Sequence, residues 1–166
     1  TVKPDAAQRL GISADVKVVA GAGDNAAAAV GTGVVGEGGC NISLGTSGTV
    51  FISSKKFGMD PNNALHAFAH ADGGWHLMGC MLSAASCNKW LCDDILKTTD
   101  YAAEQQDITP EKLGRNHVYF LPYLMGERSP INDTNARGTF TGMTMDTSRA
   151  DLVQAVLEGV AFAIRD

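Results

Sequence analysis

The sequence predicts an α/β fold in which helices pack on a mixed sheet, and three observations carry that expectation. An apolar run turns through glycine into an alanine-rich helix between residues 16 and 30; apolar and small residues alternate from about 40 to 81; an amphipathic helix closes the chain. The same order of elements also allows α+β layers. With 166 residues and 45% hydrophobic content, the chain holds enough apolar material for one folded core. A formal net charge of -5 gives no basic footprint, which argues against nucleic acid and anionic membranes as partners. No apolar run approaches the roughly 20 residues needed to cross a bilayer. No basic-then-apolar leader opens the chain either, so a cytoplasmic location is expected.

Taken in order, Pro4 to Gly11 reads as a short helix opened by proline and closed by glycine. Val16 to Ala20 reads as a strand, followed by the Gly21-Ala22-Gly23 turn and a helix running from Asp24 through Gly31 and Gly33 toward Val35. Two glycines weaken such a helix by roughly 1 kcal/mol each, which a close helix contact or a hinge would explain. Residues 40–45, 49–53, 65–70 and 75–79 read as an antiparallel meander with turns at Pro61-Asn62-Asn63 and Asp72-Gly73-Gly74. Leu82 to about Lys97 reads as a helix, with shorter helical pieces at 101–106 and 110–113; Val118 to Leu124 is a buried strand interrupted by Pro122. The polar loop Gly126 to Gly138 is long enough to suggest function or a domain contact, while its Glu127 and Arg128 are equally consistent with solvated charges. Ser148 with Asp151 forms a capping pattern, and Leu152, Val153, Val156, Leu157, Val160 and Ile164 form the buried stripe of the last helix. The chain opens on Thr1 without methionine and stops within this helix, as an excised piece would.

Cys40, Cys80, Cys87 and Cys92 include no Cys-x-x-Cys pair. The last three are expected in the helix beside Met78, Met81, Leu82 and Trp90, as reduced, packed thiols. His66 and His70 lie in a strand-like pattern that separates them by about 13 Å at 3.3 Å per residue, so no metal site is expected.

Two stretches bear chemistry. Asp24 follows a strand-to-helix glycine turn, a rigid position where helix amides converge and a carboxylate can serve as a base. Gly45-Thr46-Ser47-Gly48 joins two strands with a small turn rich in hydroxyls and backbone donors. Together they suggest a hydroxyl activated next to a phosphate. Each also has a plainer explanation: Asp24 as a helix N-cap worth about 1 kcal/mol, and 45–48 as an ordinary hairpin loop. No Gly-x-x-x-x-Gly-Lys-Ser/Thr loop occurs.

These blocks, in this order, resemble the FGGY family of carbohydrate kinases within the actin-like ATPase superfamily, and most closely its xylulokinase branch. The resemblance rests on Gly21–Ala27, Ser43–Thr49, Trp75–Met78 with Ser83–Ser86, Phe120–Leu124 with Gly126–Pro130, Ala136–Gly138, and Gly138-x-Phe140-x-Gly142-Met143 followed by Asp151-Leu152 and Ala155–Glu158. It implies a partial actin-like (ribonuclease H-like) fold, with residues 1–34 ending an N-terminal domain and its interdomain helix, and 35–166 beginning a nucleotide-binding domain. It implies transfer of a phosphoryl group from ATP, with Mg²⁺, to a sugar hydroxyl, most closely D-xylulose. Asp24 corresponds to the base and sugar contact, Asn25 to a sugar contact, and Gly45, Thr46, Ser47 and Gly48 to the turn that receives the phosphates. The helix near Ala85 to Lys89 matches the nucleotide border only loosely. By the same resemblance the intact enzyme is compatible with a homodimer, and this piece alone is expected to be inactive. A gluconokinase or related FGGY kinase, and a non-catalytic actin-like nucleotide-binding module, are the alternatives.

Overall fold

The computed structural model describes residues 1–166. Period-2 alternation between Cys40 and Met81 produces a four-stranded sheet built of β1 (Cys40–Leu44), β2 (Gly48–Ser54), β3 (His66–Ala69) and β4 (Trp75–Met81). The order is β1-β2-β4-β3, so β2 pairs with β4 and β3 is an edge strand. This corrects the expected meander. The chain between Ser54 and His66 is long enough to carry β3 past its neighbour; the tight hairpins are at 45–47, between β1 and β2, and at the Asp72-Gly73-Gly74 turn, with Gly73 at φ +83°, between β3 and β4. Every pairing between these strands is antiparallel, so any parallel partner of a mixed sheet lies outside them.

The two sheet faces differ. Thr49, Phe51 and Ser53 of β2 lie on one face with His76, Met78 and Cys80 of β4, because the paired residues are Thr49 with Cys80, Phe51 with Met78 and Ser53 with His76. Phe51 is only 1% exposed and anchors this face. The opposite face, with Val50, Ile52, Leu77 and Gly79, borders an apolar groove of about 280 Å³ closed on one side by Ala163 and Ile164.

Helix α1 (Pro4–Leu10) ends as expected at Gly11, whose φ of +66° lets its amide close on Ala7 and Gln8 carbonyls. The expected strand at 16–20 does not form, and Val18 and Val19 are 72% and 80% exposed. An extended segment becomes a strand only by pairing, and no strand of this chain reaches it. Helix α2 (Asp24–Gly31) stops short of Val35. The Thr32 hydroxyl bonds back to the carbonyls of Ala28 and Ala29, and Gly33 turns the chain at φ +77°, so Gly31 is the last helical residue and Gly33 lies beyond the helix end.

Helix α3 (Ala85–Lys89) begins later than expected and continues as a π-helix over Trp90–Leu96. Cys87 and Cys92 are buried there, but Cys80 belongs to β4, since the strand runs two residues beyond its expected end. Burial first, then the negative charge of Glu127, pushes the Cys87 thiol up to about 12, as suits an inert packing group. Helix α4 (Tyr101–Gln105) is followed by a single 3-10 turn at Pro110–Lys112. Strand β5 (Tyr119–Leu121) pairs with β6 (Thr139–Thr141), which no sequence pattern announced. Helix α5 (Arg149–Arg165) carries the expected capping box, with Asp151 and Ser148 each bonding the other's backbone amide. Its stripe closes the second core on Cys87, Leu91, Val118 and Phe120 through Val153, Ala155 and Val156. No helix is long and apolar enough to cross a membrane.

Candidate functional site

The glycine turn at 21–23 places Gly23 in extended backbone as the N-cap of α2, which makes Asp24 the first helical residue. The N-cap role expected for Asp24 therefore belongs to Gly23. The Asp24 side chain accepts the adjacent Asn25 amide on Oδ1 at 2.8 Å and reaches no amide further along the helix. It is exposed, with Oδ2 directed to no partner in the chain.

Asn25 ties this helix end to the sheet. Its Oδ1 accepts a hydrogen bond from the Thr49 hydroxyl at 2.9 Å, and Thr49 is 7% exposed and directly follows Gly48. Asp24 and the 45–48 turn are thus joined through one side-chain bond. They do not share a cavity within this chain. Asp24 and Asn25 line a cavity of about 190 Å³ with Phe68, Ala69, His76 and Met78, whereas Thr46 lines a separate groove of about 530 Å³ with Ser86, Asn88, Lys89 and Tyr101.

The turn itself is built to present donors. The carbonyls of Gly45 and Thr46 accept from the amides of Ala85 and Ala84, both at 2.9 Å, and Thr46 O also accepts from the Ser86 hydroxyl at 2.7 Å. These bonds hold the turn against the start of α3, while the amides of Thr46 and Ser47 donate to no backbone carbonyl. Gly45, Thr46 and Ser47 are exposed and Gly48 is buried. A Cβ on Gly48 would come within 2.8 Å of Met81 Cγ and 3.1 Å of Ala84 Cβ, so glycine lets the turn close on β4 and on the residue ahead of α3 without displacing either side chain. Free amides and hydroxyls on a fixed, concave backbone suit an anion such as phosphate. Lys89, beside this groove, is ion-paired with Asp93 four residues on.

Glu127 is the residue that sequence reasoning placed least well. It is 2% exposed, not solvated: Oε1 accepts the amides of Leu82 at 2.9 Å and of Arg128 at 2.7 Å. Arg128 is exposed, as a solvated charge should be. By holding Leu82, Glu127 fixes the link from β4 into the Ala84-Ala85 amides that grip the turn. Glu127→Ala leaves two amides without their acceptor, and removal of a buried acceptor costs about 1–3 kcal/mol. A lower unfolding midpoint is expected in thermal or urea melts of the intact protein, with a smaller loss for Glu127→Gln, which keeps one accepting oxygen. His76 was not picked out by the sequence: period-2 alternation along β4 sets it on one face with Met78, but the β2–β4 pairing is what joins that face to Phe51.

Comparison with known proteins agrees with this architecture. Residues 40–166 match the model for the C-terminal domain of the FGGY family of carbohydrate kinases. The chain is 45% identical to the xylulose kinase of Escherichia coli K12 over 98% of its length, covering 34% of that relative. Among solved structures, a xyloylose kinase from Brucella ovis superposes with a TM-score of 0.82 at 45% identity, covering 98% of this chain and 34% of that one. A gluconate kinase from Lactobacillus acidophilus superposes with a TM-score of 0.82 at 28% identity, covering 99% of this chain and 34% of that one. The chain spans about a third of the length of the curated relatives it matches. The family match over residues 40–166 and the shared actin-like fold lead to one conclusion: this chain belongs to the FGGY family of carbohydrate kinases.

Proposed function

We propose that the protein containing this chain is an ATP-dependent sugar kinase whose acceptor is D-xylulose, and that Asp24 is the base for the acceptor hydroxyl. The observation that carries this reading is the Asn25–Thr49 bond, which seats the free carboxylate of Asp24 next to the strand whose turn offers unpaired amides. Phosphoryl transfer has a loose transition state, so the protein's task is to align attacking oxygen, phosphorus and leaving oxygen and to supply donors for the developing charge. Asp24 orients the sugar hydroxyl and accepts its proton; the amides of Thr46 and Ser47, with the neighbouring hydroxyls, hold the transferring phosphate.

Residues 1–34 are read as the end of a preceding domain, with α2 as the interdomain helix, and 35–166 as the first part of the nucleotide-binding domain. The exposed Val16, Val18 and Val19 favour this division, since they fit a strand whose partners belong to another sheet. No three His, Cys, Asp or Glu side chains converge, so this chain's residues do not form a cage for Mg²⁺. The ion that accompanies ATP is assigned to the nucleotide phosphates. On this division the isolated chain lacks the opposing wall of its cleft and is inactive.

The identity of 45% to a xylulose kinase is what favours D-xylulose; a xylulose kinase and a gluconate kinase, both from Lactobacillus acidophilus, stand level at 29% and 28% and do not separate the two sugars. A coupled ADP-release assay on the intact protein across ketoses, polyols and aldonates tests this. Sugar-dependent ADP release greatest with D-xylulose is expected. Preference for gluconate would reassign the acceptor, and nucleotide binding without sugar-dependent release would leave a non-catalytic module.

A further inference from the structure

We propose that His76 selects the acceptor by hydrogen-bonding a sugar hydroxyl other than the one that receives the phosphoryl group. This rests on the kinase reading above and adds to it a residue outside the family blocks that carry Asp24 and the phosphate turn. His76 lines the same cavity as Asp24 and Asn25, on the wall that β4 supplies. It is 4% exposed, and its Nδ1 is buried without a hydrogen-bond partner. Buried polar atoms are nearly always paired; His66 Nε2, His70 Nδ1, Ser83 Oγ and Glu127 Oε2 are also without a partner, but of these residues only His76 lines the cavity beside Asp24, where a partner can arrive from outside.

The neighbouring histidine shows the contrast. His70 also has a buried Nδ1 without a partner, but it spends its Nε2 on the Val34 carbonyl at 3.1 Å and stays out of the cavity lining, so it acts as a structural tie. The His76 ring is held by stacking, with Phe51 at 4.0 Å and 26° and with Phe68 at 5.3 Å and 29°. That clamp fixes the ring plane before any ligand enters, as selection among similar hydroxyl patterns requires. Burial, with a smaller contribution from His70, holds the His76 pKa below the usual histidine range. A neutral ring offers one donor and one acceptor, which matches a hydroxyl. The remainder of the lining complements a polyol: Asp24 and Asn25 supply polar groups, while Phe68, Ala69 and Met78 supply an apolar floor for its C–H face.

The test compares the intact wild-type protein with His76→Phe, which preserves the stack without a nitrogen, and His76→Gln, which keeps a donor and an acceptor. KM for D-xylulose, KM for ATP and kcat are measured, together with the preference for D-xylulose over each of its singly deoxygenated analogues. His76→Phe is expected to raise the sugar KM about tenfold, the size of one neutral hydrogen bond, and to abolish the preference against one analogue. The KM for ATP stays unchanged, and His76→Gln recovers part of the loss. Wild-type sugar KM and analogue preference in His76→Phe, with only a lowered melting point, would overturn the proposal by leaving His76 a core residue. If His76→Phe does not fold, unchanged analogue preference in His76→Gln overturns it equally, and a diminished preference supports it. Should the wild-type protein phosphorylate no sugar, the kinase reading fails by itself. Calorimetric titration with D-xylulose then decides on His76: weaker binding by the variants supports the proposal and equal binding overturns it.

Discussion

Asp24→Asn in the intact protein is expected to lower sugar-dependent turnover by about 10²–10⁴-fold, the usual contribution of a positioned general base. Nucleotide affinity and the unfolding midpoint should stay close to wild type. The separation follows from the local structure. Asp24 is the first residue of α2, not its cap, and its one bond within the backbone is to the next amide through Oδ1. Asparagine keeps an oxygen for that amide and forgoes only the favourable interaction of a negative charge with the helix N-terminus, about 0.3–1 kcal/mol. What it cannot do is take a proton. The nucleotide contacts are assigned to a turn reached only through Asn25 and Thr49, so binding survives the substitution. Steady-state kinetics with ATP titration and a thermal melt read all three quantities. Near-normal turnover would return Asp24 to a purely structural role at the helix start.

The second large effect is on stability. Gly159 lies in the interior of α5, where alanine would ordinarily improve a helix by up to about 1 kcal/mol. Here the sign is expected to reverse. A Cβ at 159 would sit 2.3 Å from the Phe120 carbonyl oxygen and 3.1 Å from its carbon, both backbone atoms of β5. Neither side can yield by a rotamer change, so α5 must move away from the β5–β6 pair that it covers, loosening the core formed by Phe120, Val153 and Val156. Overpacking of this kind costs about 1–3 kcal/mol, and the immobile backbone puts Gly159→Ala at the upper end. Urea unfolding of the intact protein should show a lower midpoint for the transition that melts this domain. An unchanged or raised midpoint would mean that α5 does not approach β5 as closely as this contact requires.

Much of the fold could be read where a pattern repeats over several residues. The four strands between Cys40 and Met81, the capped start of α5 and its buried stripe follow from period-2 and period-3.6 alternation with recognisable turn and cap residues. The failures share a different cause. Val16 to Ala20 has strand composition, but pairing depends on a neighbour, and none in this chain reaches it. The strand order with β3 at the edge is a tertiary choice that composition does not encode. Of the candidate site, Asp24 and the 45–48 turn were visible because glycine, acid and hydroxyl residues cluster at predicted element ends. The burial of Glu127 was not, because a glutamate in a polar loop gives no sign of a distant amide such as Leu82 N. The link between the two site halves was equally hidden, since a threonine–asparagine bond 24 residues apart leaves no mark in local sequence.

The most direct measurement of the central geometry is a crystal structure of the intact protein with D-xylulose, Mg²⁺ and a non-hydrolysable ATP analogue. The acceptor hydroxyl is expected within hydrogen-bond reach of the Asp24 carboxylate, about 2.6–3.2 Å, with the terminal phosphate against the amides of Thr46 and Ser47 on its far side. A sugar or terminal phosphate seated away from both, with Asp24 facing bulk solvent in the closed complex, would contradict the assignment of base and phosphate turn.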